Sequence, residues 1–295
     1  MFFMFLLSKS VAFISCLPIL LILFNSAPAP GGKALAHGRE AASFWKMFFR
    51  VSFDPAWRPD PARREVIVFA HGAVVNGMEM VPLRRRLATL GYATRQFHYH
   101  SMLAGLEENV ARLKKFIAET EGDVVHVVGH SMGGVLTRHV FERMPDPRPG
   151  RLVAIGSPFL DCWTAHRVIE LHRRGHSLLG RTAHDHVRQP RDPAWRGARD
   201  FGVIAGTYPF GIGCVFPGLP RPSDGVVLWE ETRLGGIAGH VTYRLNHFGM
   251  LFSRRCARQV ARFLATGKFG PAQAKPKKQR QVSENNTADE TVVEL

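Results

Sequence analysis

Cysteine is scarce in this chain, which has four in 295 residues: Cys16, Cys162, Cys214 and Cys256. None of them has the Cys-x-x-Cys spacing of a zinc ribbon or a thioredoxin-like redox site, which argues against both kinds of chemistry. The length excludes a miniprotein held together by disulfides. If the first 36 residues are removed, one disulfide at most can form, and we expect Cys162 with Cys214 because both flank one inserted segment. Three buried, unpaired thiols are the alternative.

Long runs of like charge are also missing. Lys and Arg number 39 against 24 Asp and Glu, a net charge of +15, yet no five or six bases stand together. No zinc-finger, basic-zipper or RNA-recognition pattern is present, so the composition argues against nucleic acid as a partner. Attraction to an anionic lipid surface stays open. Hydrophobic residues at 45% and aromatic residues at 10% predict a folded body.

The two ends of the chain differ from its middle. Residues 1–36 hold Lys9, an apolar run over 11–24 and the small-x-small triplet Ala34-Leu35-Ala36, which predicts a signal peptide or an N-terminal membrane anchor. Either one places the body outside the cytoplasm, as a periplasmic or otherwise extracytoplasmic protein or one anchored in the inner membrane. Residues 267–295 are polar and poor in large apolar side chains, which predicts a disordered tail.

The segment between the ends, 37–266, is predicted to be one domain, and from roughly residue 60 it alternates short β-branched runs with stretches of helical period. This rhythm predicts an α/β domain with a mostly parallel central sheet flanked by helices. The predicted strands are Val66–Ala70, Ala93–His98, Val124–Val128, Arg151–Ile155, Phe201–Ala205 and His240–Leu245. The predicted helices are Val81–Leu90, Leu106–Thr120, Met132–Arg143, Trp163–Arg173 and Phe252–Ala265. Residues 160–199 interrupt the rhythm without a strand, so we expect a lid-like insert over one face.

One motif in this domain carries a clear chemical signal. Gly129-His130-Ser131-Met132-Gly133 follows a buried strand and opens a helix. Such a sharp turn needs glycines on either side, and it lifts the serine hydroxyl clear of the sheet. The helix start also aims N–H groups at developing negative charge. The context predicts that Ser131 is a nucleophile, with His130 packed beside the turn.

With this motif in place, residues 62–268 resemble the α/β-hydrolase superfamily and, within it, the lipase and carboxylesterase-like branch. The run Ala70-His71-Gly72-Ala73 stands where such enzymes carry a His-Gly motif. The resemblance implies that the backbone N–H groups of Ala73 and Met132 form an oxyanion hole. His71 itself is expected to be a turn histidine bonded to backbone.

A serine nucleophile needs a histidine base and a carboxylate that orients it, and on this fold the chain order is serine, acid, histidine. The run Ser223-Asp224-Gly225-Val226-Val227 resembles the acid-bearing loop of lipase-like hydrolases, so Asp224 is the predicted acid. The other carboxylates considered for this role lie in or beside the insert or slightly after the loop: Asp161, Asp185, Asp192, Asp200, Glu230 and Glu231.

The predicted base is His247, which stands after the last predicted strand and just before the final helix. Its rival, His240, stands at the start of the same strand and would lie at the opposite end from the site. An ordinary histidine at a helix start is the alternative for His247.

Five histidines of the insert raise the question of a metal: His166, His172, His176, His184 and His186. His172 and His176 have the i, i+4 spacing of a helical metal pair, but arginines surround the cluster and no motif completes four ligands. We therefore expect neither a metal nor another cofactor, and a solvated basic lid instead.

Together these features predict a serine hydrolase that cleaves carboxylic esters through Ser131, His247 and Asp224 by way of an acyl-enzyme. The apolar leader and the lipase resemblance favour a lipid-like ester substrate. An acyltransferase or thioesterase would use the same three residues, and a non-catalytic binding protein of the cell envelope is the alternative from another class.

Overall fold

The computed structural model describes residues 51–171, 178–189 and 192–271, and the predicted leader, most of the predicted tail, His172 and His176 lie outside them. The strands are β1 (Glu65–Ala70), β2 (Ala93–Phe97), β3 (Val124–His130), β4 (Leu152–Ile155), β5 (Phe201–Gly206) and β6 (Gly239–Tyr243). The helices are α1 (Val81–Ala88), α2 (Leu106–Ala118), α3 (Met132–Arg143), α4 (Trp163–Leu171), α5 (Arg181–Val187), α6 (Gly249–Phe252) and α7 (Arg254–Thr266).

The six strands form one parallel sheet in the order β2-β1-β3-β4-β5-β6. The chain enters the sheet at β1, adds β2 on one side of it and then returns to add β3 on the other side of β1. The order therefore reverses between β1 and β3, and in open α/β sheets ligands bind at the carboxyl ends of the strands beside such a reversal. Ser131 follows β3 at this point.

Helices cover both faces of the sheet. Because successive side chains of a strand point to opposite faces, Val68 of β1 packs with α2 and α3, whereas Ile67 and Phe69 pack with α1 and α7. The four inner strands, β1, β3, β4 and β5, are buried on both sides, which explains their mostly apolar sequences. The mostly parallel α/β sheet predicted from the sequence is confirmed.

Three predictions about local structure need correction. The final helix does not run unbroken from Phe252: α6 ends there, Ser253 has extended backbone, and its Oγ accepts from the Cys256 N–H at 3.3 Å to start α7. The insert contains a second helix, α5, that its mixed composition did not indicate.

The third correction concerns the disulfide. Cys162 and Cys214 are both free, because Cys162 is buried whereas Cys214 is exposed and its Sγ donates to the Pro209 carbonyl at 3.2 Å. The third described cysteine, Cys256, is also free and buried.

Within the described ranges, no helix combines the length and the apolar character needed to cross a bilayer. The boundaries predicted for the leader, the insert and the tail stay predictions.

Candidate active site

Ser131 occupies a sharp turn between β3 and α3. Its backbone angles are φ 51° and ψ −121°, which residues other than glycine rarely adopt. Two hydrogen bonds hold the turn: the Ser131 N–H donates to the Ile155 carbonyl at 2.9 Å, and the Gly134 N–H donates to the Ser131 carbonyl at 3.0 Å. A methyl group on Gly133 would collide with the Ala70 carbonyl, so glycine is needed where β1 passes the start of α3.

The loop after β1 lies directly against Ser131. A Cβ on Gly72 would be 3.3 Å from the Ser131 Cβ. His71 fixes this loop, since its Nδ1 donates to the Gly72 carbonyl at 2.7 Å and its Nε2 accepts from the Tyr99 N–H at 3.3 Å. Burial lowers the pKa of His71 to about 4, so the ring is neutral near pH 7 and both bonds are retained. The expectation of a backbone-bonded turn histidine is confirmed.

Two backbone N–H groups belong to the segments that meet at the nucleophile, those of Ala73 and Met132. Met132 is the first residue of α3, where the N–H has no partner inside the helix. In the part of the chain that the structure describes, neither its N–H nor that of Ala73 donates a hydrogen bond. Val74, the next residue, has φ 63°, and its N–H donates to Ser101 Oγ at 3.0 Å, which holds the loop in place. The oxyanion role of Ala73 and Met132 stays a prediction.

Asp224 and His247 form a buried pair. His247 Nδ1 donates to Asp224 Oδ2 at 2.7 Å, and the side chains are 5% and 1% exposed. The His247 N–H also donates to the Asp224 carbonyl at 3.0 Å. The other carboxylate oxygen, Oδ1, accepts from the N–H groups of Val226 and Val227 at 2.9 and 2.7 Å. With the proton on Nδ1, the lone pair of a neutral His247 ring is on Nε2, the form that a general base needs.

The rings around this pair place it next to the serine turn. The centroid of the His130 ring is 4.6 Å from that of His247 and 5.6 Å from that of Phe248. His130 is fully buried, and burial holds its pKa well below its usual range, so this ring packs beside the base as a neutral group. Ser131 and the Asp224–His247 pair therefore lie together at the carboxyl ends of the strands.

The rival residues are engaged elsewhere. His240 is the second residue of β6, at the amino-terminal end of the strand, where its Nε2 hydrogen-bonds Thr232 Oγ1 at 2.9 Å. Among the other acids, Asp161 pairs with His166, Asp185 accepts from the Leu106 N–H, Asp192 pairs with Arg196, and Asp200 pairs with Arg151. None of these bonds involves His247.

Three residues near the pair were not predicted as part of the site. A Cβ on Gly156, which has φ 58° and follows β4, would lie 3.1 Å from both Asp224 Oδ2 and His247 Nδ1. Glu79 is buried behind the loop after β1, and its Oε2 accepts from the Gly77 N–H at 2.9 Å. Glu231 was considered only as a rival acid. The sequence offers a signal only for Gly156, a glycine directly after a buried strand. The two glutamates are positioned by contacts between distant segments, which the sequence does not show.

The described residues of the insert hold no group of three or more histidine, cysteine, aspartate or glutamate side chains arranged to bind a metal ion. His186 Nε2 donates to the Pro158 carbonyl at 2.6 Å, which explains one of the five histidines by packing. The spacing of His172 and His176 lies outside the described residues.

Solved structures with a similar fold include a lipase and a carboxyl esterase. The mature form of the Bacillus licheniformis lipase BlEst2 matches with a TM-score of 0.56 and 18% sequence identity, over 73% of this chain and 96% of that one. The metagenomic carboxyl esterase MGS0156 matches with a TM-score of 0.52 and 15% identity, over 81% of each chain. No protein-family model and no curated protein sequence matches the chain. At these identities the likeness shows a shared fold.

Proposed function

We propose that this chain, which has the α/β-hydrolase fold expected from its sequence, is a serine hydrolase that cleaves carboxylic esters. One observation carries the proposal: a buried hydrogen bond of 2.7 Å joins Asp224 to His247 beside the strained turn of Ser131. The fold hosts many functions, so the argument depends on these residues. The two structural neighbours, named as a lipase and a carboxyl esterase, are consistent with it.

The reaction would proceed in two steps, acylation of Ser131 and hydrolysis of the acyl-enzyme. His247 Nε2 accepts the proton of the Ser131 hydroxyl while Oγ attacks the acyl carbonyl, and the same nitrogen then protonates the leaving alcohol. This leaves an acyl group on Ser131. A water molecule, deprotonated by His247, attacks that acyl carbonyl and releases the acid, and the proton returns to Ser131 Oγ. Asp224 keeps the ring oriented and stabilises the imidazolium that forms in each step.

The tetrahedral intermediate of each step carries a negative oxygen. The free N–H groups of Ala73 and Met132 would donate to it, and Met132 adds the positive end of the α3 dipole. Loss of one such donor typically reduces kcat by about a hundredfold to a thousandfold. The orientation of Ala73 depends on the loop that His71 and Ser101 hold.

Exposed apolar side chains support a lipid-like ester as the substrate. Among the described residues, the large apolar side chains that are strongly exposed all belong to segments that follow the carboxyl ends of strands, where Ser131 lies: Val74, Met102, Leu103, Leu178, Tyr208, Phe210, Ile212, Val215 and Phe248. Single exposed apolar residues are normal, and their placement in the connections that follow the carboxyl ends of the strands supports a binding surface there. This apolar rim suits an acyl chain or an aggregated lipid.

The location of the protein is proposed on sequence alone. Residues 1–36 have the pattern of an export signal or anchor, which would place the site outside the cytoplasm and close to a membrane surface. The net charge of +15 favours anionic lipid there. An acyltransferase or a thioesterase would use the same residues, and the acceptor or leaving group distinguishes them.

The test is hydrolysis of p-nitrophenyl esters from acetate to palmitate by the full-length chain, together with labelling by a fluorophosphonate probe. Ser131→Ala is the test variant and Ser253→Ala, at the start of α7, is the matched control. We expect turnover and labelling in wild type and in the control, and neither in Ser131→Ala. If folded wild-type protein neither turns over any ester nor reacts with the probe, the proposal is wrong and the non-catalytic alternative replaces it.

A further inference from the structure

Glu231 hydrogen-bonds two segments of the chain, the start of the insert and the loop that carries Asp224. Its side chain is buried, and its two carboxylate oxygens accept from different parts of the chain. Oε1 accepts from the Trp163 N–H, the first of helix α4 in the insert, at 2.6 Å. Oε2 accepts from the Leu228 N–H, at the end of the loop that carries Asp224, at 2.8 Å.

The backbone of the same residue strengthens the connection. The Glu231 carbonyl accepts from the N–H groups of Phe159 and Leu160 at 2.7 and 3.2 Å. These two residues link β4 to the insert. One glutamate therefore holds the start of the insert and the residue before it by three N–H groups, and its carboxylate also lies at the positive end of the α4 dipole.

The acid loop is short enough to transmit a change at Leu228 to the catalytic acid. Ser223 and Leu228 pair as an antiparallel bridge, and the Asp224 N–H donates to the Val227 carbonyl at 3.0 Å. Asp224 Oδ1 in turn accepts from the Val226 and Val227 N–H groups. A shift of Leu228 would therefore move the donors that orient the Asp224 carboxylate.

We propose that Glu231 is a positioning residue that ties the Asp224 loop to the first helix of the insert, so that activity depends on a second buried carboxylate. The proposal rests on the proposed function, because positioning Asp224 matters only if the Asp224–His247 pair is catalytic. Glu231 itself lies outside the reaction.

Protonation gives this tie a pH dependence. Burial raises the pKa of Glu231 to about 7, the N–H groups of Trp163 and Leu228 lower it, and the charges of Asp161 and Asp224 raise it. The other groups on this side are the buried Cys162 thiol and His166, which pairs with Asp161 at 2.7 Å. A proton on the carboxyl turns one acceptor into a donor that faces an N–H. We therefore expect the tie to weaken as the pH falls below about 7.

The first experiment measures the tie without using catalysis. Glu231→Gln keeps the shape of the side chain but places an NH2 group against one of the two N–H donors. The neighbouring Glu230→Gln removes the same charge from an exposed position and is the matched control. Hydrogen exchange of the Trp163 and Leu228 amides is compared at pH 6 and pH 8 after correction for intrinsic rates. We expect protection to fall at least tenfold in Glu231→Gln at pH 8, and in wild type between pH 8 and pH 6.

The second experiment measures kcat/KM for an ester from pH 5 to pH 9, per active site titrated with the fluorophosphonate probe. In wild type and in Glu230→Gln, protonation of Glu231 should add a loss of up to about tenfold to the acid limb of log kcat/KM against pH, so that this limb is locally steeper than in Glu231→Gln. In Glu231→Gln this extra loss is absent, and kcat/KM at pH 8 is already lower by about tenfold. A merely structural role would reduce the folded fraction and leave the pH profile per active site unchanged.

The outcomes separate this proposal from the proposed function. If wild type hydrolyses no ester and does not react with the probe, the proposed function is wrong. The hydrogen-exchange data then test only whether Glu231 ties the two segments together. Equal protection and equal pH profiles in Glu231→Gln and Glu230→Gln overturn the role of Glu231, as does lost protection with an unchanged profile. If Glu231→Gln does not fold, Glu231→Asp, too short to reach both N–H groups, is measured in the same way, and wild-type values in it overturn the proposal.

Discussion

Gly156→Ala tests the geometry of the Asp224–His247 pair from a position that takes no part in the chemistry. The new methyl group would lie 3.1 Å from Asp224 Oδ2 and from His247 Nδ1, the two atoms joined by the 2.7 Å hydrogen bond. It would also lie 2.9 Å from Met250 Cε, the movable end of a flexible side chain. Since the Asp224 carboxylate is held by two further N–H groups, we expect His247 to move by a few tenths of an ångström.

The expected magnitude has two separate parts. Gly156 has φ 58°, where a side chain adds about 1–2 kcal/mol of backbone strain, so the free energy of unfolding falls by about that amount. A misplacement of about 1 Å can reduce a rate by about a hundredfold, so we expect kcat/KM to fall by about tenfold to a hundredfold.

Gly218→Ala separates the two parts. Gly218 has a φ of 79°, so alanine there meets similar strain, but no atom lies within 4 Å of the new methyl group. Both variants are compared by thermal unfolding and by kcat/KM on p-nitrophenyl butyrate, per active site. Both should lose stability, and only Gly156→Ala should lose activity per site. A kcat/KM for Gly156→Ala within twofold of that for Gly218→Ala would refute the reasoning.

Three further predictions follow from strain, burial and exposure. Ser131→Gly should melt a few degrees above Ser131→Ala, because only glycine relieves about 1–3 kcal/mol of strain at φ 51°; equal melting temperatures contradict this. His130→Phe should become more stable relative to wild type as the pH falls from 7 to 5, as measured by urea midpoints. Burial lowers the pKa of His130 in the folded chain, so wild type loses stability when the unfolded chain binds a proton below about pH 6.5. A difference in stability that does not change with pH would refute this. Replacing Phe210 and Ile212 together by serine should reduce hydrolysis of an emulsified palmitate ester more than tenfold while acetate hydrolysis changes less than twofold; equal losses would show that the apolar rim does not bind the acyl chain.

The regular elements could be predicted because they depend on local pattern. The β1 and β3 runs are mostly apolar since both faces of the sheet are covered, and α3 was predicted with its observed bounds because the Gly129–Gly133 motif follows a buried strand. The final helix was misplaced because Ser253, which interrupts it, has a side chain that fits either a helix start or a helix interior. The free thiols of Cys162 and Cys214 could not be predicted, since burial of one and exposure of the other is a property of the folded chain.

The sequence by itself determined the parallel sheet, the serine turn and the order of the residues proposed for catalysis, because each depends on spacing along the chain or on a short motif. The tertiary structure decided which carboxylate meets which histidine: Asp224 and His247 are 23 residues apart and come together only because β5 and β6 are neighbours. It also decided the roles argued for Gly156 and Glu231. A methyl group or a carboxylate acts over a few ångströms, and those distances exist only once β4, the insert and the acid loop are packed together.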